Sequence, residues 1–291
     1  NFSQTLDSKY LFYFLKSTKG KQILNEISIG STQAVLTIDG LKSISITLPS
    51  ITKQRTITHI LETLDKKIEL NRKTNETLED IAKALFKSWF LDFDPVRAKA
   101  EGRSTGLPDE ISDLFPDSFE DTELGEIPSN WMNIPISQFI EINPSRKISK
   151  GEIAPYLGMK GVPTSGHTAT GFYDREFTSG TKFQQGDTLL ARITPCLENG
   201  KTAMVDFLDE GQVGWGSTEF IVLCGKEKIH NPFVYYLCRT DIFREHAIRN
   251  MIGSSGRQRV PYDSLYNLSI AKPPTIILNI FSEIASSFLQ K

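Results

Sequence analysis

The sequence predicts a mixed α+β fold in which a globular domain is joined to long helices that pair antiparallel, in the manner of a coiled coil. Two observations predict this fold. Short strand-like runs separated by Gly-rich turns fill residues 131–274, and a run without Pro or Gly extends from Lys53 to Phe90. The 291 residues are 39% hydrophobic and 23% charged, which is ordinary for a globular chain with room for about two domains.

The first fifty residues are predicted to contain a helix, a turn and a strand. Residues 8–28 have the apolar spacing of an amphipathic helix, with a weak point at Gly20. The Gly-Ser-Thr sequence at 30–32 is typical of a turn. Residues 43–49 alternate polar and apolar side chains, which predicts a short strand that ends at a proline.

The long helix, predicted over residues 51–93, carries the clearest pattern in the chain. Its apolar and amide side chains recur at alternating steps of three and four residues, which is the heptad seam of a coiled coil. The seam consists of Leu61, Leu64, Ile68, Asn71, Asn75, Leu78, Ala82, Leu85 and Trp89. The helix would be about 60 Å long, so it needs a partner helix along this seam.

Two seam positions are polar. A buried Asn costs stability but fixes register and partner, so Asn71 and Asn75 are predicted to face another helix; the alternative is that they face solvent at a local opening. The in-chain candidate for the partner is 275–291, which is too short to cover the whole seam. We therefore expect the uncovered half to pair with a second copy of the chain, as a homodimer, or to stay exposed.

An acidic segment separates the long helix from the globular domain. Residues 93–130 hold 3 Lys and Arg against 10 Asp and Glu, and residues 94–130 are predicted to be a linker whose short apolar clusters dock on a neighbour. In the domain that follows, a helix is predicted at about 232–250. Strands are predicted at 188–193, 201–207 and 219–224. The three cysteines are predicted to be buried, unpaired thiols.

The chain repeats part of itself. With 224 added to the residue number, Asp39 meets Asp263 and Pro49 meets Pro273; with 223 added, Gly30 meets Gly253. Chance apolar periodicity does not easily reproduce Gly, Asp and Pro in the same order, so we infer two copies of one unit, a globular domain followed by a long helix. Two such helices paired antiparallel would hold two similar domains a fixed distance apart, which suits a split linear target such as duplex DNA.

Several stretches resemble the specificity subunit of type I restriction-modification enzymes. The central conserved region of that family resembles QRTITHILETLDKKIELNRKTNETLEDIAKALF at 54–86, KSWFLDFDPVRAKAEG at 87–102 and GLPDEISDLFPDSFEDTELGEIPSNW at 106–131. GDTLLARITPCLENGKTA at 186–203 and GSTEFIVL at 216–223 are similar to stretches of the family's target recognition domains. The resemblance extends over nearly the whole chain.

The resemblance implies a division of the chain into alternating recognition domains and conserved helices. We expect a fragment, truncated at both ends, of a longer subunit. Its expected parts are the remnant of a first target recognition domain at 1–50, the central conserved helix at 51–93, the acidic linker at 94–130, a second target recognition domain at 131–274 and the start of a second conserved helix at 275–291.

The resemblance also implies partners. Each recognition domain would read one half of a bipartite double-stranded DNA site, and the helices would set the gap and dock the modification (methyltransferase) subunits, which the restriction/translocase subunits join. S-adenosylmethionine, Mg²⁺ and ATP would be bound by those partners and no cofactor by this chain. The protein would be cytoplasmic and would not contact a membrane.

The candidate DNA-contacting side chains lie in three polar segments of the globular domain. Arg suits the O6 and N7 atoms of guanine, Gln suits adenine, and small residues let backbone amides approach phosphates. The candidates are Ser254, Ser255, Arg257, Gln258 and Arg259 in the loop 253–260, Arg192, Thr194, Asn199 and Lys201 in the loop 191–201, and Ser217 and Thr218. The alternatives are a solvated basic turn at 253–260 and a strand cap at Ser217 and Thr218.

No catalytic motif is found in the sequence. It lacks a P-loop and the Asn/Asp-Pro-Pro-aromatic loop of adenine methyltransferases, and its four His show no metal-ligand spacing. The sequence therefore predicts a non-catalytic subunit without a metal site. The alternative function is a coiled-coil adaptor that binds proteins and not DNA.

Overall fold

A computed structural model describes residues 5–29, 35–123 and 125–289, so the turn predicted at 30–32 lies outside the described residues. The chain forms two compact units, residues 1–74 and 75–291. The helices are α1 (Ser8–Lys16), α2 (Thr18–Glu26), α3 (Ile38–Lys42), α4 (Ile51–Phe90), α5 (Asp94–Ala100), α6 (Asp109–Ser112), α7 (Asn231–Cys238), α8 (Asp241–Arg249), α9 (Tyr262–Leu265) and α10 (Thr275–Leu289). The strands are β1 (Phe119–Thr122), β2 (Gly125–Pro128), β3 (Met132–Pro135), β4 (Ile140–Ile142), β5 (Ile153–Leu157), β6 (Tyr173–Glu176), β7 (Thr181–Gln184), β8 (Thr188–Ala191), β9 (Thr202–Met204), β10 (Val213–Gly216), β11 (Phe220–Gly225) and β12 (Ser269–Lys272).

The helix predicted over 8–28 is broken at Ser17 and not at Gly20. Ser17 leaves the helical conformation with a ψ of 161°, and its side chain accepts a hydrogen bond from the backbone N–H of Gly20, which caps α2. Gly20 is buried because α1 and α2 meet there: a Cβ at this position would lie 2.1 Å from the backbone oxygen of Phe14. The glycine is therefore a packing requirement, not a flexible point.

The strand predicted at 43–49 does not form. These residues have no regular secondary structure, whereas the corresponding segment of the second copy is β12, which pairs antiparallel with β3. A strand exists only beside another strand, and among the described residues of the first unit none lies alongside 43–49. The prediction of a strand from the alternation in the sequence is therefore wrong, because the partner strand that would stabilise it is missing among these residues.

The long helix α4 runs from Ile51 to Phe90, which confirms the prediction of a helix without interruption. In the first unit Gln54 is fully buried and fixes the start of the helix, since its side chain donates to the carbonyls of Thr5 and Pro49 and accepts from the N–H of Asp7. The helix ends before Phe93, which has a left-handed φ of 56° and leads into Pro95 of α5.

The predicted seam is uncovered in the first unit and covered in the second. Leu64 and Ile68 are 51% and 65% exposed, and Asn71 is exposed. Leu61, Asn75, Leu78 and Leu85 are half-buried, while Ala82 and Trp89 are buried. Among the described residues no helix covers Asn71, so the expectation that it faces another helix is not met within this chain.

Two four-stranded sheets form the centre of the second unit. Their strand orders are β6-β5-β10-β7 and β4-β11-β8-β9, and every pairing in them is antiparallel except that of β10 with β5. Leu157 and Phe183 from the first sheet and Leu189 and Val222 from the second share one buried cluster, so the two sheets are held together by an apolar interior. The strands predicted at 188–193, 201–207 and 219–224 are confirmed as β8, β9 and β11.

The segment 94–130 is folded, so its description as a linker is wrong. Val96, Phe115 and Ile127 are buried in the main core, and β1 and β2 pair as an antiparallel hairpin. The prediction that its apolar clusters dock on a neighbour is confirmed. Pro, Gly and acidic residues marked the turns and the solvent face of this segment, and the few buried side chains decide its packing.

The helix predicted at about 232–250 is two helices, α7 and α8. Thr240 separates them, because its hydroxyl donates to the carbonyl of Leu237 at 2.7 Å and accepts from the N–H of Phe243 at 3.2 Å. This side chain caps α8 and turns the chain out of α7. Apolar spacing alone did not reveal the cap.

The helix bounds confirm the internal repeat. Adding 223 to the bounds of α2 gives 241 and 249, the bounds of α8, and adding 224 to the first residue of α4 gives 275, the first residue of α10. Isolated backbone pairs follow the same rule: Ile29 pairs with Val35 in the first unit, and Ile252 pairs with Arg259 in the second. Thr58 and Ser282, which correspond at an offset of 224, are both buried with a hydroxyl that lacks a partner among the described residues.

Phe281 of α10 is the centre of the main core of the second unit. Its ring lies 5.1–6.4 Å from five other aromatic rings and is fully buried. These rings belong to α4 and α7 and are Phe86, Trp89, Phe90, Phe233 and Tyr236. The cluster therefore joins the end of the long helix, a helix of the globular domain and α10 in one apolar interior.

A buried ionic network lies in the same unit. The imidazole of His167 contacts Glu79 of α4 through Nδ1 at 3.2 Å and the carbonyl of Leu289 through Nε2 at 3.1 Å, while the Tyr235 hydroxyl donates to Glu79 at 2.7 Å. Both neighbours of the imidazole are acceptors, so only its protonated form satisfies both. Asp206 lies 3.8 Å from Nε2 and adds negative charge.

The network shifts two pKa values in opposite directions. Burial alone would lower the pKa of His167, but the hydrogen bond and charge of Glu79, with the charge of Asp206, hold that pKa above its usual value. Burial alone would raise the pKa of Glu79, but hydrogen bonds from His167 and Tyr235, with the charges of His167 and Arg239, hold that pKa below its usual value. Burial raises the pKa of Asp206.

Replacing Phe281 tests the aromatic cluster. Phe281→Ala should lower the free energy of unfolding of the second unit by roughly 3–5 kcal/mol, because it removes a ring and leaves a cavity. Ile276→Ala on the same helix removes an exposed side chain and should cost less than about 0.5 kcal/mol. Denaturant unfolding followed by tryptophan fluorescence measures both; equal losses would contradict the central role of Phe281.

The ionic network predicts a pH dependence of stability. The pKa of His167 is raised in the folded state, so its stabilising effect is complete below the unfolded-state pKa of about 6.5 and is lost as the pH rises through the folded-state pKa. The pKa of Glu79 is lowered in the folded state, so its stabilising effect is lost in acid. The free energy of unfolding should therefore fall as the pH rises from about 6.5 through the folded pKa of His167. Glu79→Gln should cost roughly 1.5–3 kcal/mol at pH 6 and flatten that fall. Asp80→Asn on the exposed face of α4 should leave the pH profile unchanged.

Candidate nucleic-acid interface

Three segments that the sequence singled out lie side by side in the second unit. The backbone of Ile193 pairs with that of Arg259, and the N–H of Thr194 donates to the carbonyl of Gln258 at 3.0 Å. The N–H of Arg192 donates to the carbonyl of Glu219 at 3.0 Å, directly after Ser217 and Thr218. The segments 192–194, 217–219 and 257–260 therefore form one hydrogen-bonded surface, which we call the loop platform.

Arg259 has an acidic partner that the sequence did not reveal. Its Nε lies 3.0 Å from both carboxylate oxygens of Glu219 and its Nη2 lies 2.7 Å from Oε1. This bidentate pair is half-exposed and ties the loop 253–260 to the segment 217–219. Arg259 thus has a positioning role in the platform, and its Nη1 donates to the carbonyl of Arg257 at 3.2 Å. The only sequence signal was an acid next to a polar pair, which is too common to be specific.

Arg257 is the exposed cation at the tip of the loop. It lies between Gly256, with a left-handed φ of 79°, and Gln258, which is half-buried. Ser254 and Ser255 are exposed in the same loop. The N–H of Arg257 donates to the carbonyl of Ser254, which closes a turn that presents the side chains outward.

The second predicted loop is divided between two places. Arg192 and Thr194 belong to the loop platform, whereas Asn199 is exposed and Lys201 donates to the carbonyl of Met159 at 2.8 Å. The neighbouring Gly200 carbonyl accepts from Arg239 at 3.1 Å. Lys201 therefore fixes the chain near Met159, and the platform takes its candidates from the first half of the loop. Spacing in the sequence could not separate these two halves.

A polar cleft of about 350 Å³ adjoins the platform, and its lining includes Arg192 and Thr218. The other polar residues that line it come from separate segments of the chain, so the sequence did not single them out. These residues are Asn143, Ser145, Arg146, Thr181, Lys182 and Tyr262. The sequence showed at most an Asn-Pro turn at 143–144, where Asn143 has a left-handed φ of 53°.

The ionisable groups of the described residues form no arrangement for metal chemistry. No group of three or more His, Cys, Asp or Glu side chains in 5–29, 35–123 and 125–289 is placed to hold a metal ion. The cysteines are unpaired; Cys224 and Cys238 are buried and burial raises the pKa of both, to about 11 for Cys224. None of the described helices combines the length and apolar composition needed to cross a bilayer.

Comparison with known proteins identifies similar chains. Residues 2–80 match the model of the type I restriction modification DNA specificity domain. The type I restriction enzyme HindI specificity subunit of Haemophilus influenzae is 44% identical over 108 residues, which cover 36% of this chain and 24% of that protein. The MjaIX specificity subunit of Methanocaldococcus jannaschii is 38% identical over 120 residues, which cover 41% and 27%. The matched regions thus span about a quarter of the length of these relatives.

A solved structure shares the fold. The S subunit of a type I restriction-modification system from M. genitalium superposes with a TM-score of 0.51 at 14% identity, covering 98% of this chain and 67% of that one. The mixed α+β fold with a long helix, predicted from the sequence, agrees with this likeness.

The Arg259–Glu219 pair should control the order of the loop 253–260. Glu219→Ala removes the carboxylate that holds Arg259, so amide exchange at Ile252 and Arg259 should become roughly two- to fivefold faster. Glu210→Ala removes a surface ion pair with Lys228 elsewhere and is the matched control. Hydrogen–deuterium exchange measures both; equal exchange in wild type and Glu219→Ala would mean that the ion pair does not order the loop.

Proposed function

We propose, for a chain that belongs to the family of type I restriction-modification specificity subunits, that the second unit recognises one half of a bipartite double-stranded DNA site. The observation that carries the proposal is the loop platform. Residues chosen from the sequence for their hydrogen-bonding chemistry, in three separate segments of the chain, meet on one surface.

The chemistry of this surface supports DNA recognition. Arg257 is exposed and suits bidentate contact with guanine or a single phosphate, while the neighbouring serines leave room for close approach of the backbone. A backbone-paired platform fixes such side chains in register, which sequence recognition requires. The expected function is non-catalytic recognition of DNA, with methylation of adenine and cleavage directed to the site.

The proposed partners follow from the family. Modification (methyltransferase) subunits would dock on the long helix and restriction/translocase subunits would join that assembly, with S-adenosylmethionine, Mg²⁺ and ATP bound by the partners. The exposed Leu64 and Ile68 support a role of the seam in helix pairing, with another helix of the assembly or with a second copy. The proposed location is the cytoplasm.

Filter binding tests the proposal, with and without a modification subunit. The chain is offered random-sequence duplexes and duplexes enriched from that pool for binding to the chain. Arg257→Ala should either lower the slope of log K against log salt by about 0.9, if the lost contact is a phosphate, or cost about 1–3 kcal/mol and relax one position of the site, if it is a base. Arg257→Ala combined with Arg259→Ala should weaken binding further. Arg103→Ala, which removes an exposed arginine of the segment 94–130, is the control.

Two outcomes would contradict the proposal. Unchanged affinity of the double variant at moderate salt would remove the loop 253–260 from the interface. Absence of DNA binding by the wild-type chain under all conditions, together with capture of a partner protein through the seam, would support the coiled-coil adaptor instead.

A further inference from the structure

The cleft beside the loop platform has basic and hydroxyl-bearing walls. Its charged lining residues are Arg146, Lys182 and Arg192, and no Asp or Glu of the described residues lines it. Asn143 builds one wall, since its N–H donates to the carbonyl of Val222 at 2.7 Å and its side-chain oxygen accepts from the N–H of Val222 at 3.0 Å. The segment 143–146 is thereby fixed to β11, so the cleft is a constructed feature and not a gap between mobile side chains.

The three cations differ in how they are neutralised. Arg146 donates through Nη2 to both carboxylate oxygens of Asp187, at 3.1 and 3.4 Å, and Asp187 is buried. Lys182 is half-buried and meets only the carbonyl of Ile148, at 3.5 Å, and the face of the Phe177 ring. Among the described residues no acid lies within ion-pair distance of Lys182.

Arg192 is the second cation without an acid. It is half-buried, its Nε is buried with no hydrogen-bond partner among the described residues, and no described carboxylate pairs with its guanidinium. Withdrawing two cations from water without neutralising them is unfavourable, and an anion in the cleft would offset that cost. Thr218 and Tyr262 supply hydroxyl groups on the same lining.

We propose that this cleft binds one phosphate of the DNA backbone, held between Lys182 and Arg192, and that this contact positions the duplex on the loop platform. The proposal rests on the proposed function and joins Lys182, which the sequence did not single out, to Arg192, which it did. The cleft is continuous with the platform, because the N–H of Arg192 donates to Glu219 and the carbonyl of Arg192 accepts from Val260 at 2.9 Å. A duplex lying on the loops therefore brings its backbone to the cleft.

The chemistry of the cleft favours a phosphate over a base. Lys182 and Arg192 have no acidic partner among the described residues, so an anionic phosphate offsets their charge, whereas the edge of a DNA base is neutral. The contact would therefore contribute affinity that does not depend on sequence. Arg257, which lies on the loop tip, would account for the dependence on sequence.

The test combines DNA binding with a measurement that needs no DNA. The double variant Lys182→Gln/Arg192→Gln should lower the salt slope of duplex binding by about 0.9 and weaken binding about eightfold at 0.1 M salt, equally for enriched and random duplexes. Inorganic phosphate should show ³¹P line broadening with the wild-type chain that the double variant abolishes. Lys83→Gln/Lys87→Gln makes the same charge change on exposed positions of α4 and should alter neither measurement. Lys182→Arg keeps the charge and should keep the slope.

Each outcome decides one proposal. If wild type binds DNA and the double variant keeps its slope and its phosphate broadening, the phosphate site is overturned while the proposed function stands. If wild type binds no DNA but broadens phosphate in a Lys182-dependent manner, the cleft is an anion site and the proposed function fails. If the double variant loses the unfolding transition of wild type, the single variants Lys182→Gln and Arg192→Gln decide. A lower salt slope and weaker phosphate broadening in either variant supports the site, and wild-type values in both overturn it.

Discussion

The burial of Phe281 among rings from α4 and α7 is the contact on which the second unit depends. The end of α4 is covered by the globular domain that follows it. Large side chains fill the interior that α4, α7 and α10 share. Trp89 and Phe86 extend the same interior toward Phe115, so the segment 94–130 packs where it does because the helix end is already fixed. The orientation of the globular domain's helices on α4 follows from this one cluster.

The ionic network of Glu79, His167 and Tyr235 depends on that packing. A carboxylate of the long helix is drawn into a half-buried site, where it is tolerable only because an imidazole and a phenol donate to it. The loop 160–171 is tied to the helix by His167. The same residue contacts the carbonyl of Leu289, so the network joins α4, α7 and the end of α10. The directional hydrogen bonds of this network fix the relative positions of the three helices, which apolar packing alone does not specify.

The parts of the fold that recur in the sequence were the parts that could be predicted. Helix α4 was evident from heptad spacing, and the repeat was evident from Gly, Asp and Pro at fixed offsets, because both depend on local or periodic chemistry. The errors have one origin. The break at Ser17, the cap at Thr240, the missing strand at 43–49 and the folded segment 94–130 each depend on which distant residue lies opposite, and a single sequence does not contain that information. The loop residues were chosen from the sequence by type, whereas Glu219 and Lys182 were not chosen, since their contacts arise only where separate segments meet.

The exposed residues of the candidate interface contribute little to the stability of the fold. The platform is held by backbone pairs, Ile193 with Arg259 and Thr194 with Gln258, and by the Arg259–Glu219 pair, while the rings that stabilise the unit lie in a separate cluster around Phe281. A side chain such as Arg257 or Thr218 can therefore change without creating a cavity in the core. If the platform reads DNA, then its reading can vary through a few exposed positions while the helices and their packing stay constant. One scaffold can then present different recognition residues for different DNA sequences, because the residues that would contact DNA are not the residues that stabilise the fold.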